Sequence, residues 1–332
     1  MASTPEIAPV TLAVADVGGT NCRFSLARVA PGSAPALVGE VTTIHTADYP
    51  SFAAAWHSWV EHLPERPEAA SVAIATFIAG DALKLTNNPW VIRPSTLAHE
   101  LSVERLLLLN DFGAITHAVA WLGAGDLAHL CGPDTGVPAQ GVVSVVGPGT
   151  GLGVSYLLRR NGHNHVIETE GGHADFAPVD PIEDQLLARL RARLIRVSVE
   201  RVCSGPGLAR IYEALAIAEG RPVTILEDRA LWSGAIAGTN PLAVAALERF
   251  AQALGTACGD YALAHGAAGL VLTGGLPPRF LPQLRASGFS GRFRAKGRFE
   301  ALMAAMPVYV CTHPQPGLLG AAAAFLDGGR TG

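Results

Sequence analysis

An amide and a carboxylate, Asn110 and Asp111, follow directly on four consecutive leucines at positions 106–109. An uninterrupted apolar run of this kind is typical of a strand that is buried on both faces. Positions 114–121 then show helical spacing, so the polar pair should lie at the carboxyl end of a strand, where open α/β sheets bind ligands. Asp111 therefore has two interpretations, a general base or a simple N-cap of the helix.

Glycine-rich segments follow other apolar runs at positions 16–21, 147–151 and 273–275. Backbone amides approach an anion closely where no Cβ intervenes, so such segments favour phosphate binding. The first two lead into strand-like patterns at positions 23–29 and 152–158, so each joins one strand to the next. This strand–turn–strand unit stands near the start of each half of the chain and indicates a divergent internal duplication.

Of two common phosphate sites, the residues present exclude one and disfavour the other. A Walker loop places a lysine directly after its glycines, but the only lysines, Lys84 and Lys296, follow no such segment. A dinucleotide-binding turn needs a third glycine and a following helix, whereas the sixth position counted from Gly147 is Leu152. Phosphoryl transfer remains, which needs positioned phosphates, a metal ion and a carboxylate that accepts a proton.

Other polar residues suit a phosphoryl acceptor that carries several hydroxyls. Asp16 stands beside the first glycine turn and could orient Mg²⁺ directly or through water, because hard cations prefer oxygen ligands. Asp111 could be the base. Each hydroxyl of a polyol needs a hydrogen-bond partner. The candidate partners are Asn110, Glu170, His173 and Glu200.

The elements that must position these residues follow from periodicity and turn chemistry. Strands are predicted at 11–15, 72–75, 142–146 and 308–311, and helices at 208–215 and 318–326. Asn161 and Gly162 predict a type I′ hairpin turn. Asp180 should cap the helix that begins at Pro181, with Glu183 at the capping-box position.

Composition favours a soluble chain of two domains, because 332 residues exceed what one hydrophobic core usually fills. The net charge is −4 and the basic residues are scattered, so no nucleic-acid partner is expected. The five cysteines lie far apart without a Cys-x-x-Cys motif, which fits a reducing cytoplasm. Neither a signal peptide nor a membrane span is predicted. The roughly ten residues before the first strand are expected to form a disordered extension.

The order of motifs along nearly the whole chain resembles the bacterial glucokinase family. The motifs are Asp16-Val-Gly-Gly-Thr-Asn21, Leu85-Thr-Asn87, Leu109-Asn-Asp-Phe112, Gly147-Pro-Gly-Thr-Gly-Leu-Gly153, Glu170-Gly-Gly-His173, Glu200-Arg-Val-Cys-Ser-Gly-Pro-Gly207, Thr273-Gly-Gly275 and Pro316-Gly-Leu-Leu-Gly320. The first alone would indicate only the wider superfamily of actin, hexokinases and heat-shock chaperones. Two positions depart from the pattern: Ala15 replaces a frequent glycine, and Pro148 removes one amide donor from the second turn.

This resemblance implies an α/β chain with the two-lobed, ribonuclease H-like ATPase fold of actin and hexokinases, in which a βββαβα core is duplicated. A small lobe would comprise residues 1–118 and 310–332, and a large lobe residues 119–309. The lobes would close over sugar and nucleotide. The resemblance also implies a homodimeric enzyme that uses ATP and Mg²⁺ to phosphorylate the 6-hydroxyl of glucose.

The resemblance assigns roles to individual residues. Asp111 would be the catalytic base, and Asp16 would orient Mg²⁺. The residues that hold the sugar would be Asn87, Asn110, Asp111, Glu170, His173 and Glu200. The residues at ATP would be Ala15, Asp16, Val17, Gly18, Gly19, Thr20 and Asn21 in the first turn, Gly147, Gly149, Thr150 and Gly151 in the second, and Gly274 and Gly275 near the adenosine.

Other functions stay open on the sequence. One is a kinase of the same fold for fructose, mannose or an amino sugar. Another is a non-catalytic sugar sensor, and a third is a filament or chaperone-type ATPase, which would lack the Glu-x-x-His loop. Glu170 and His173 could also form a metal site with His163 and His165, but no cysteine lies nearby and zinc is not expected.

Overall fold

The computed structural model describes residues 9–85, 88–223 and 225–328. The candidate sugar ligand Asn87 and residues 1–8 of the expected N-terminal extension lie outside the described residues. The chain divides into two compact units, Met1–Leu122 with His313–Gly332, and Gly123–Thr312. The sequence places these boundaries slightly earlier, after residues 118 and 309.

The described residues form both strands and α-helices. The strands are β1 (Val10–Val17), β2 (Asn21–Val29), β3 (Ala36–His45), β4 (Ala69–Ile74), β5 (Leu83–Lys84), β6 (Val91–Ile92), β7 (Arg105–Asn110), β8 (Leu127–Cys131), β9 (Gly141–Pro148), β10 (Leu152–Arg160), β11 (His163–Thr169), β12 (Ala267–Leu272) and β13 (Val308–Cys311). The helices are α1 (Phe52–Val60), α2 (Pro94–Leu101), α3 (Asp111–Val119), α4 (Pro181–Arg191), α5 (Gly205–Ala218), α6 (Asp228–Ala237), α7 (Pro241–His265), α8 (Leu281–Ala286), α9 (Phe289–Arg294), α10 (Glu300–Ala304) and α11 (Pro316–Gly328). In the parts of the chain that are described, no single helix is long and apolar enough to cross a membrane; α6 and α7 meet that limit only as a pair, bent by 92°.

The first unit is built on a sheet with the strand order β3-β2-β1-β4-β7. Strand β1 is antiparallel to β2 and parallel to β4, and β4 is parallel to β7. The register sets Asp16 opposite Ala73 and Ile74 opposite Asn110. The carboxyl ends of three neighbouring parallel strands therefore meet at one edge of the sheet, and this edge carries Asp16, Asn110 and Asp111.

Strand β7 differs from its prediction in one respect. Its leucines contact apolar clusters on both faces of the sheet, but only Leu109 is buried and the leucines at 106–108 stay partly exposed. The prediction of a strand buried on both faces is therefore wrong. The reason is that β7 is the last strand in the order and has a neighbouring strand on one side only.

The second unit is built on a sheet with the order β11-β10-β9-β12-β13-β8. Strand β9 is antiparallel to β10 and parallel to β12, and β12 is parallel to β13. If β8, which lies at the edge of the second sheet, is set aside, each sheet has five strands. Numbered along the chain within each sheet, these strands have the same spatial order: third, second, first, fourth, fifth. This shared order confirms the internal duplication.

The last helix, α11, packs against α3 and the first sheet. Leu318, Ala321 and Phe325 are buried in a cluster that includes residues of β1 and β4. A Cβ on Gly320 would lie 1.6 Å from the carbonyl oxygen of Ala114 in α3, so only glycine allows this close approach. Because α3 begins at Asp111, the packing of α11 holds the helix that carries the candidate base.

Two local predictions can be compared with the structure. Asn161 and Gly162 have φ values of 54° and 77°, as the type I′ turn requires, and this prediction is confirmed. The Asp180 side chain caps α4, as predicted. However, the Glu183 carboxylate accepts from the amide of Val179 at 2.9 Å, one residue before the cap, so the reciprocal capping box is wrong by one position.

Candidate active site

The polar pair lies where β7 passes into α3. Asn110 is the N-cap of α3: its Oδ1 accepts from the amides of Phe112 and Gly113 at 2.9 and 3.1 Å, and its Nδ2 donates to the Thr76 carbonyl at 3.1 Å. The interpretation of Asp111 as the cap is therefore wrong, because Asp111 is already the first residue of the helix. Asp111 Oδ1 accepts from the Phe112 amide at 2.8 Å.

This arrangement leaves both side chains suited to a ligand. Asp111 is partly exposed, and the amino end of a helix carries a partial positive charge that stabilises a carboxylate. The amide group of Asn110 has two N–H donors, one of which is used by Thr76. The cap thus orients the pair, and the second N–H of Asn110 can serve as a donor to a ligand that binds beside Asp111.

The first glycine turn joins β1 to β2, and its carbonyl oxygens bond to protein donors. The Gly19 carbonyl accepts from Thr46 Oγ1 at 2.9 Å and from Asn88 Nδ2 at 3.1 Å. The Thr20 carbonyl accepts from the Thr46 amide at 3.0 Å. Because these oxygens, which would repel an anion, are occupied, the amide face of the turn is the one suited to phosphate.

In each of the first two turns, one predicted phosphate donor is used to close the turn itself. The Gly18 amide donates to the Asn21 carbonyl at 3.0 Å, and the Gly149 amide donates to the Gly151 carbonyl at 2.8 Å. These two amides maintain the shape of the turns. We therefore expect phosphate contacts from the other amides of each turn rather than from these two.

Asp16 lies near the carboxyl end of β1 and faces Arg23 across the hairpin. Asp16 Oδ2 lies 3.0 Å from Arg23 Nη1. A Cβ on Gly317, at the start of α11, would lie 3.1 Å from the same oxygen, so the glycine leaves room for the carboxylate. Burial raises the pKa of Asp16, and the Arg23 guanidinium acts in the opposite direction.

The surroundings of Asp16 fit a magnesium ion that is held together with phosphates. Mg²⁺ usually keeps several waters and binds one or two carboxylates plus substrate phosphates. Asp16 supplies one partly exposed carboxylate at the edge that carries the first glycine turn. Within the described ranges, no group of three or more His, Cys, Asp or Glu side chains could hold a metal ion by itself. Magnesium bound here would depend on phosphate oxygens.

The second and third glycine segments lie together in the second unit. The Thr273 amide donates to the Val146 carbonyl at 2.9 Å. This bond continues the pairing of β12 with β9 beyond the end of β12 and holds the third glycine segment beside β9. Gly274 follows with a φ of +86°, and a Cβ there would lie 3.0 Å from the Pro148 carbonyl oxygen. At Gly275 a Cβ would meet nothing within 4 Å. Gly274 is thus required by the close approach of the two segments.

The Glu170–His173 loop presents both of its candidate side chains to solvent. Their side chains are 65% and 60% exposed, and Glu170 Oε2 lies 3.7 Å from His173 Nδ1. The loop backbone is held from two sides: Tyr261 in α7 donates to the Gly171 carbonyl at 2.9 Å, and Arg196 donates to the His173 carbonyl at 2.6 Å. A fixed backbone with exposed polar side chains is suited to ligand binding.

Glu200 lies in a 3₁₀ turn, Val199–Arg201, and is partly buried. Its Oε2 accepts from the Leu152 amide at 3.0 Å, directly after the second glycine turn. The structure therefore brings Glu200 to this turn.

Several residues that support the site were missed by sequence reasoning. They are Arg23, Thr46, Asn88, Tyr261 and Gly317. The cross-strand pairing of Arg23 with Asp16 could have been expected from the tight hairpin around the glycine turn. The others act through contacts between segments far apart in the chain, for which the sequence carries no local signal.

The two units share one order of five strands, and in each a glycine turn joins two antiparallel strands; this arrangement defines an ATPase fold of the actin and hexokinase class. The glucokinase family model matches residues 13–327. A glucokinase from Zymomonas mobilis is 53% identical over 313 residues, which cover 94% of this chain and 96% of that relative. This chain belongs to the glucokinase family.

Solved structures agree with this assignment. The crystal structure of a glucokinase from an Antarctic psychrotroph has a TM-score of 0.85 at 32% identity and covers 96% of this chain and 99% of its own. A ROK family glucokinase from Streptomyces griseus, solved with glucose and AMPPNP, has a TM-score of 0.63 at 19% identity and covers 95% of this chain and 99% of its own. The second likeness concerns the fold alone.

Proposed function

We propose that this chain transfers the γ-phosphoryl group of ATP to the 6-hydroxyl of glucose and releases glucose 6-phosphate and ADP. The observation that carries the proposal is the sheet edge of the first unit, where Asp16 near the end of β1, Asn110 at the end of β7 and Asp111 at the start of α3 lie at the edge that carries a glycine turn. Two strand spacings separate Asp16 from Asn110, about 10 Å. That span accommodates a phosphoryl group and the hydroxyl that attacks it. The kinship with glucokinases supports glucose as the acceptor.

In the proposed step, the Asp111 carboxylate accepts the proton of the 6-hydroxyl while that oxygen attacks the γ-phosphorus. The bond from phosphorus to the oxygen that bridges to the β-phosphate breaks, and this oxygen leaves on ADP with the electron pair. Asn110 orients Asp111 through the helix cap and donates its second N–H to the hexose.

The phosphates are proposed to bind amides of the turns 16–21 and 147–151, with Gly274 and Gly275 near the adenosine. Asp16 would hold Mg²⁺ directly or through water. When bound, the ion neutralises charge on the phosphate oxygens.

The remaining hexose hydroxyls are assigned to Glu170, His173 and Glu200 in the second unit, and to Asn87. Glu170 and His173 are exposed on a loop whose backbone is fixed, which supports their part in binding. We also infer a homodimer in the cytoplasm, from the family resemblance and the composition. Gel filtration with light scattering tests the dimer.

A coupled assay of ADP formation tests the proposed reaction. We expect ADP release to require glucose and Mg²⁺, and glucose to give a higher kcat/KM than fructose, mannose or glucosamine. ADP formation that is independent of sugar would contradict the proposal. A higher kcat/KM with another hexose would keep the reaction type but change the substrate.

The base is tested by Asp111→Asn. Asparagine keeps an Oδ1 that can accept from the Phe112 amide, so the fold should be retained. We expect kcat to fall by about 10²- to 10⁴-fold, with the glucose Kd and the Tm near those of the wild type. Glu65→Gln, which neutralises an exposed carboxylate of the same unit, serves as the control. Activity of Asp111→Asn within about tenfold of the control would refute the role of Asp111.

A further inference from the structure

We propose that Glu200 is a positioning residue that couples hexose binding to the second glycine turn. The inference rests on the proposed function, because it takes Glu200 as a ligand of the hexose. It adds a second task for the same carboxylate: one oxygen holds the end of the phosphate turn while the other binds sugar. Occupancy by hexose then orders the turn for the nucleotide.

The contact between Glu200 and the turn explains why position 151 is glycine. Glu200 Oε2 accepts from the Leu152 amide at 3.0 Å. A Cβ on Gly151 would lie 2.6 Å from that oxygen and 3.3 Å from the carboxyl carbon. By contrast, a Cβ on Gly149 in the same turn would meet nothing within 4 Å. The two glycines therefore differ: the space beside Gly151 is filled by the carboxylate.

Contacts place the two hexose-binding segments on either side of one residue, Leu152. The Gly205 amide, five residues after Glu200, donates to the Gly149 carbonyl at 2.7 Å and fixes that segment against the turn. On the carbonyl side of Leu152, Gly172 of the hexose loop packs so closely that a Cβ there would lie 2.0 Å from the oxygen. Leu152 is thus held at its N–H by Glu200 and covered at its C=O by the loop.

The use of the two Glu200 oxygens for different partners has a thermodynamic consequence. A hydroxyl bound to Oε1 fixes the rotamer of the side chain and with it the position of Oε2 against the Leu152 amide. The entropy cost of ordering the turn is then met before the nucleotide binds, which gives positive cooperativity. Thermodynamic linkage requires the nucleotide to tighten hexose binding by the same factor.

Isothermal titration calorimetry measures this coupling. The Kd of AMPPNP with Mg²⁺ is determined with and without saturating glucose, and the Kd of glucose with and without AMPPNP. The wild type is expected to show a coupling factor of at least about fivefold in both directions. Gly151→Ala must push Oε2 away and should lower this factor to below about twofold and weaken glucose binding about tenfold or more, because a hydrogen bond to a charged group is lost.

Matched variants separate this role from a loss of folding. Gly291→Ala changes an exposed glycine of the same unit that lies outside the turn, where an added Cβ would also meet nothing within 4 Å, and should keep the glucose Kd and the coupling factor within about twofold of the wild type. Glu200→Gln keeps an oxygen for the Leu152 amide, so coupling should persist while glucose binds more weakly. Glu200→Ala removes both contacts and should lose both. Thermal unfolding confirms that each variant is folded.

The outcomes are decisive in either direction. If Glu200→Ala keeps the wild-type coupling, if Gly151→Ala matches Gly291→Ala, or if the wild type shows no coupling, the inference is wrong. Glucose-dependent ADP formation by the wild type would leave the proposed function intact in those cases. A wild type that binds no glucose would overturn the proposed function and this inference with it.

Discussion

The contact between α11 and α3 predicts that Gly320→Ala is strongly destabilising. The added Cβ would lie 1.6 Å from the Ala114 carbonyl oxygen and 3.1 Å from the Ala118 nitrogen, whereas ordinary contact begins at 3.4 Å. The two helices would have to separate by about 1.8 Å, the difference between the first and last of these distances. Both helices are tightly packed here, and interiors of such density do not absorb a shift of this size.

The cost can be estimated from the geometry. Thirteen residues make α11 about 20 Å long. Over a contact about 8 Å wide, the separation opens about 290 Å³, which corresponds to about 7 kcal/mol at 24 cal/mol per Å³ if nothing relaxes. Overpacking that relaxes well costs about 1–3 kcal/mol. We therefore expect a loss of about 3–7 kcal/mol, a large part of the stability of a typical protein.

Urea unfolding followed by circular dichroism measures this loss. Gly291→Ala in α9 is the matched control, because it is a helical glycine at which a Cβ would meet nothing within 4 Å. The control should change the free energy of unfolding by no more than about 1 kcal/mol. Because α3 begins at Asp111, the folded fraction of Gly320→Ala should also have a reduced kcat. A free energy of unfolding within about 1 kcal/mol of the wild type would refute the packing argument.

Three further predictions concern single contacts. Asn110→Ala removes the cap of α3 and should lower the free energy of unfolding by about 0.5–2 kcal/mol in urea titrations, whereas Asn110→Asp keeps an acceptor and should lose less; equal losses would contradict the cap. Tyr261→Phe removes the donor to the Gly171 carbonyl, so the KM for glucose should rise several-fold at nearly constant kcat; an unchanged KM would exclude a positioning role. Burial acts to raise the pKa of Asp180, but hydrogen bonds and neighbouring arginines outweigh it and the pKa is lowered from 3.8. The ionised form is therefore favoured in the folded state, and its stabilisation is present above pH 3.8 and lost as the pH falls through the lowered pKa. Asp180→Asn should have a lower Tm than the wild type at pH 7, with a difference that shrinks below about pH 4; a constant difference would contradict this.

The sequence by itself determined the elements that depend on local chemistry. Apolar runs and glycine turns predicted the strands on either side of both hairpins, Asn161 with Gly162 predicted a type I′ turn, and Asp180 predicted a helix cap. The repeat of strand, turn and strand predicted the duplication that the two strand orders confirm. These features can be predicted from the sequence because they depend on residues within a few positions of one another.

Only the tertiary structure decided which residue performs which task at the site. From the sequence, either residue of the polar pair could cap α3. In the structure Asn110 is the N-cap, and Asp111 is the first residue of the helix. The pairing of Glu200 with the Leu152 amide joins segments 48 residues apart. The close packing of Gly320 on Ala114 joins segments still farther apart in the chain. Such contacts are selected by packing and burial in three dimensions, which leave no periodic pattern in the sequence.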